Sequence, residues 1–195
     1  MKKILLLIAF ALLTTSVYAE KIVATYTMSG TQRNIEAGID NKGALNVFIQ
    51  VVGEQSEYVL IRVIGEEDIK RFITQLTYCR DKFIEWEQVA KRNNISDFKK
   101  EIDATFPDVE IWWVGLEWYS SYKKSLIKPL FLVNNGDAAF GATGAVTHWN
   151  NEFIDQTFFI LFETANEVQS LINALNITKI KSILNQEAQT NALFQ

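Results

Sequence analysis

Very little in this chain can do chemistry on its own. One Cys and one His among 195 residues exclude an intramolecular disulfide and a Cys- or His-rich zinc site. Two Pro and nine Gly build no linker, and no Pro-, Gly- or Ser-rich stretch divides the chain, so a single core is expected. Positive charge is scarce too, with 19 Lys plus Arg against 23 Asp plus Glu. A nucleic-acid partner is not expected, because counterion release needs a concentrated basic surface and none is visible. After the first 19 residues no uncharged run approaches the roughly 20 apolar residues that a membrane-spanning helix needs. Gly-x-Ser-x-Gly, His-Glu-x-x-His, P-loop and calcium-loop spacings are all missing, and no cofactor or metal is expected.

The first nineteen residues read as an address. Met1-Lys2-Lys3 gives a positive start, Ile4 to Leu13 is an apolar run, and Thr14 to Ala19 ends with small side chains at the −1 and −3 sites. That order is the pattern of a secretory signal peptide. Cleavage after Ala19 would remove Lys2 and Lys3, leaving 17 cations against 23 carboxylates, a charge of −6. No Cys lies near the cleavage site to receive a lipid. The expected destination is the periplasm or the outside of the cell, with no transmembrane segment in the mature chain.

What the mature chain does contain is periodicity. Ile22 to Met28, Asn34 to Ile39, Leu45 to Val52 and Tyr58 to Ile64 are rich in β-branched and aromatic residues, with the turn signal Asp40-Asn41-Lys42-Gly43 between the second and third. Ile69, Phe72, Ile73, Leu76, Cys79, Phe83, Trp86 and Ala90 then recur at steps of three and four, which predicts a helix from about Glu66 to Arg92. Carboxylates at positions 66 to 68 and cations at Lys91 and Arg92 suit its dipole. Alternation over Ile102, Ala104 and Phe106 predicts another strand, and Val109 to Tyr119 a further one. Leu130 to Val133, the turn Asn134-Asn135-Gly136-Asp137, Ala138 to Thr147 and Thr157 to Phe162 continue the sheet.

Thr164 with Glu167 forms a capping box ahead of an apolar stripe at Val168, Leu171, Ile172 and Leu175. Ile177 to Leu184 is a last amphipathic piece, and residues 185–195 read as a polar, fraying tail. The fold class is α+β: one domain over residues 20–184, an antiparallel sheet with a long helix and a shorter C-terminal helix on one face. Ile61, Ile69, Phe72, Ile73 and Leu76 match Ile160, Val168, Leu171, Ile172 and Leu175 at an offset of 99. The chain therefore also reads as two β-β-β-α halves; any strand that feeds an amphipathic helix places its apolar residues in the same way.

The densest feature is the run from Glu110 to Tyr122. Strand alternation points Trp112, Val114, Leu116 and Trp118 one way and Ile111, Trp113, Gly115, Glu117 and Tyr119 the other. The first set is purely apolar and is expected in the core. The second offers flat rings at Trp113 and Tyr119 and a carboxylate at Glu117, the groups of a sugar- or peptide-binding platform. The alternative places that face under the long helix, with Glu117 near the rim.

His148 reads as a solvent-facing or capped loop residue and Cys79 as a buried, inert thiol. Ser96 to Lys99 and Ser121 to Lys124 match Ser-x-x-Lys without the companion motifs of an acylating enzyme. The functional expectation is an exported, non-enzymatic binding or interaction module with a carbohydrate, peptide or protein partner. The alternative is a small exported hydrolase that uses carboxylates such as Asp103, Asp108, Glu110 and Glu117, with His148 as helper. Export has a direct check: mass spectrometry of the secreted or periplasmic protein should find Glu20 at the N-terminus, and recovery of Met1 on that material would overturn it.

Overall fold

The computed structural model describes residues 21–54, 56, 58–122 and 127–194; the leader lies outside them. Its strands are β1 (Lys21–Met28), β2 (Thr31–Ile39), β3 (Leu45–Gly53), β4 (Val59–Ile64), β5 (Asp97–Glu101), β6 (Glu110–Val114), β7 (Trp118–Ser120), β8 (Leu130–Asn134), β9 (Asp137–His148) and β10 (Asn151–Phe162). The helices are α1 (Glu66–Arg92), α2 (Ala165–Ala174) and α3 (Ile177–Ala192). The architecture is α+β, and the sheet is antiparallel throughout, in the order β5-β8-β9-β10-β3-β4-β6-β7. Strand β3 sits at its branch point. One edge of β3 pairs with β2 from Ile39↔Leu45 to Ile35↔Ile49 and then with β10 at Phe158↔Gly53 and Phe159↔Val52, while its other edge pairs with β4.

Turn chemistry fixes the register. Asn135 and Gly136 both have positive φ, 51° and 89°, which matches the right-handed twist of the strands they join. Asp40 accepts from the amides of Lys42 and Ala44, each at 2.9 Å, and so closes the β2–β3 connection. Thr164 accepts from the Glu167 amide at 3.2 Å, as the capping box predicts. The Glu167 carboxylate accepts from the amides of Gly30 and Glu163, each at 2.7 Å, and so pins the β1–β2 turn to the start of α2.

Helix α1 is the main hydrophobic element. Its 27 residues run about 40 Å at the usual rise. It buries Ile69, Phe72, Leu76, Cys79, Phe83 and Ala90, the stripe seen in the sequence. Phe72 meets Phe106 with ring centroids 5.0 Å apart, and Phe83 meets Phe131 at 6.0 Å. Helix α2 lies against α1 and against β1 and β10. The topology β2-β3-β4-α1 recurs as β8-β9-β10-α2, and the two helices start 99 residues apart at Glu66 and Ala165.

Three local expectations change. The strand near residue 102 is β5 at Asp97–Glu101, while Ile102 and Phe106 are buried from an irregular segment in which the Ile102 amide donates to the Pro129 carbonyl at 2.9 Å. Two apolar anchors with polar neighbours give the same alternation whether or not a partner strand is present. The run from Val109 to Tyr119 folds into the hairpin β6–β7, closed where the Gly115 amide donates to the Glu117 carbonyl at 2.9 Å. The polar tail continues α3 through Ala192; that helix is capped by Asn176 and held by Lys181–Glu66 at 2.8 Å, and in the tail Glu187 pairs with Lys21 at 3.2 Å.

Burial along α1 falls toward its C-terminal end. Phe72 is buried and Trp86 only half-buried. Phe72→Ala should therefore cost ~3–5 kcal/mol by urea unfolding, and Trp86→Ala less than half of that. Equal losses would show that the two ends of the helix are packed alike.

Candidate functional site

Register decides which side of β6 faces inward. Ile111 lies opposite Ile61 and Trp113 opposite Val59, so both share the face of Ile49 and Val51, the face on which Phe72, Leu76 and Leu171 of the helices pack. Trp113 is 2% exposed. The alternation read from the sequence groups the residues correctly, but the side is reversed: Trp112, Val114 and Trp118 share the open face, and Trp118 is 49% exposed. Both sets are apolar enough to be core, so the helix side had to be chosen by pairing with β4. Glu110 carried the usable signal, since a carboxylate at the start of β6 marks the outward parity that Trp112 and Val114 share.

The three residues expected to form a platform therefore part company. Trp113 belongs to the core, where its ring meets Tyr119 at 5.9 Å. Tyr119 is half-buried and its ring covers Gly115, where a Cβ would come within 2.5 Å of it. Glu117 is exposed in the β6–β7 turn beside the fully exposed Leu116.

An aromatic and charged cluster occupies the open face instead. The Arg62 guanidinium lies 5.5 Å from the Phe48 ring centroid and 5.3 Å from that of Trp112. Its Nη1 donates to Glu110 Oε2 at 2.8 Å and its Nε to Asn46 Oδ1 at 3.2 Å. Trp112 Nε1 donates to the same Glu110 oxygen at 3.0 Å. A planar cation between two rings gains cation–π attraction while its stem covers apolar surface, which is how Phe48 is buried without a helix above it. Beside this cluster Tyr58 donates to Glu36, and its ring meets Trp118 at 5.9 Å. Trp112 and Trp118 are tilted by 59° with centroids 6.4 Å apart. Further along the same face Phe159 and Leu161 of β10 are exposed. Arg62, Glu36 and Tyr58 escaped notice in the sequence because only strand pairing gathers them.

His148 is neither solvent-facing nor free. Its Nδ1 lies 3.2 Å from the Ser120 amide nitrogen and 2.9 Å from the Ser120 carbonyl, so it accepts from one or donates to the other according to its tautomer. Its ring meets Trp113, Tyr119 and Trp149. With the Trp149 amide donating to the Ser120 carbonyl at 2.9 Å, it ties the end of β9 to β7.

Cys79 is buried, and desolvation pushes its thiol up to about 12, so little thiolate exists near neutrality. Glu110 sits at the far end of β6 from the turn that holds Glu117, about 13 Å away at ~3.4 Å per residue. Among the described residues, no group of three or more His, Cys, Asp or Glu could hold a metal ion. The chain matches no protein-family model, no curated protein and no solved structure.

The reversed faces are open to a direct check. Trp113→Ala should lower stability by ~3–5 kcal/mol, the cost of emptying a buried aromatic site, while Trp118→Ala should cost about 1 kcal/mol or less. Thermal melts of the two variants read the difference, and a larger loss at Trp118 would put the helices on the other side of β6.

Proposed function

We propose that this chain is an exported, non-enzymatic interaction module that engages a peptide or protein segment on the open face of its sheet, at Trp112, Val114, Leu116 and Trp118. One observation carries the reading: apolar side chains stay exposed on the face that no helix covers, Leu116 and Trp118 at the β6–β7 hairpin and Phe159 and Leu161 on β10. Single exposed apolar residues are ordinary, but several gathered on one uncovered face mark a contact surface.

The tilt between Trp112 and Trp118 favours a peptide over a saccharide. Two rings at an angle form a notch that grips an aliphatic or cationic side chain, whereas a sugar stacks best on a flat shelf. Glu117, exposed in the turn next to Trp118 in the chain, complements a basic residue on the partner. Export is inferred from the three-part leader, and no helix among the described residues is long and apolar enough to cross a membrane.

Selection of displayed peptides on the immobilised mature protein, with a glycan array in parallel, tests this. Selected peptides should bind wild type and lose about 30-fold or more with Trp118→Ala, the ~2 kcal/mol of an aromatic anchor, while the melting temperature stays near that of wild type. Retention of glycans without peptides, or peptide binding indifferent to Trp118, would overturn the proposal.

A further inference from the structure

A second site lies at the other end of the sheet and is independent of the surface just proposed. Strand β5 is the terminal strand, and its register with β8 places Phe98 opposite Val133 and Lys100 opposite Phe131. Val133 and Phe131 are buried on the helix side, so Phe98 and Lys100 also point toward α1. Only Lys100 reaches it, through the Trp86 ring. Phe98 remains 46% exposed, and Val89 of α1 and Ile95 are exposed as well. Between them lies a groove of about 480 Å³ with Trp86 and Phe131 in its walls, within the range of ~300–1,000 Å³ typical of small-molecule sites.

The polar atoms of this groove are mostly engaged. Glu85 is paired with Lys82 at 2.7 Å, and the Asn93 side chain donates to the Val89 carbonyl at 2.8 Å. Lys100 differs: its Nζ rests 4.4 Å from the centre of the Trp86 ring, and among the described residues no carboxylate lies within ion-pairing distance. A cation held over an aromatic face beside an apolar trough is the complement of one kind of ligand. The geometry points to an amphiphile with a single aliphatic chain and an anionic head group, its chain between Val89, Ile95 and Phe98 and its head on Lys100.

The chain gains by leaving water for the groove, in proportion to the apolar surface it buries. The head group replaces water on an ammonium that has no carboxylate partner among the described residues. A peptide strand added to the free edge of β5 would use backbone hydrogen bonds and would be insensitive to the charge at Lys100.

The test is calorimetric titration of the mature protein with decanoate below its micelle concentration, beside decyltrimethylammonium of equal chain length. Saturable binding of one decanoate per chain is expected, with much weaker binding of the cationic amphiphile. Lys100→Met keeps the stem and removes the charge, and should weaken decanoate about tenfold, the loss of one charge-assisted contact. Phe98→Ser should weaken both amphiphiles. Both positions are exposed, so thermal melts should stay close to wild type, and Trp118→Ala should leave decanoate binding unchanged. Uptake of many equivalents without saturation, equal affinity for the two head groups, or indifference to Lys100→Met would each overturn the assignment.

Discussion

Desolvation of the α1 stripe against one face of the sheet is the constraint on which the other features depend. Phe72, Leu76, Cys79 and Phe83 cannot be buried by a single helix, so they claim one side of β4, β8 and β9. In a sheet of period two, that claim fixes the parity of each paired strand. Val59, Ile61 and Val63 turn inward, their partners Ile111 and Trp113 turn inward with them, and Trp112 and Trp118 are left outside.

A sheet with helices on one face only must dress the other face with its own side chains. Arg62 does this by lying between Phe48 and Trp112 while it satisfies Glu110 and Asn46. The cluster is partly desolvated, with about a fifth of each side chain exposed, so its ion pair is screened less than a surface pair. The ends of the sheet face different demands. At the β7 end, His148 and Ser120 join two hairpins through backbone groups that the short strand β7 leaves unpaired. At the β5 end, α1 stands too far from the terminal strand to close on it, and the gap is the groove beside Lys100.

The two surfaces proposed for ligands share a cause. Each lies where the reach of α1 ends, one on the far side of the sheet and one between its C-terminal third and the edge strand β5. Neither uses the one His or the one Cys, whose places are set by packing: Cys79 under the helix and His148 between three rings.

Much of what depends on neighbours in the chain was legible in the sequence. The span of α1 from Glu66 to Arg92, the Thr164 cap, the Asn135-Gly136 turn and the burial of Cys79 rest on contacts a few residues apart. So does the α+β class, since a 27-residue amphipathic helix amid alternating strands needs a sheet to cover it. The inward side of β6 was not legible, because Trp112 and Trp113 satisfy a core equally well and only pairing with Val59 and Leu60 separates them. The Arg62 cluster joins residues from three strands, and the groove is a space between a helix and an edge strand. Local sequence determined the elements and their caps; register and the limited reach of one helix, both properties of distant residues brought together, decided which surfaces stayed open.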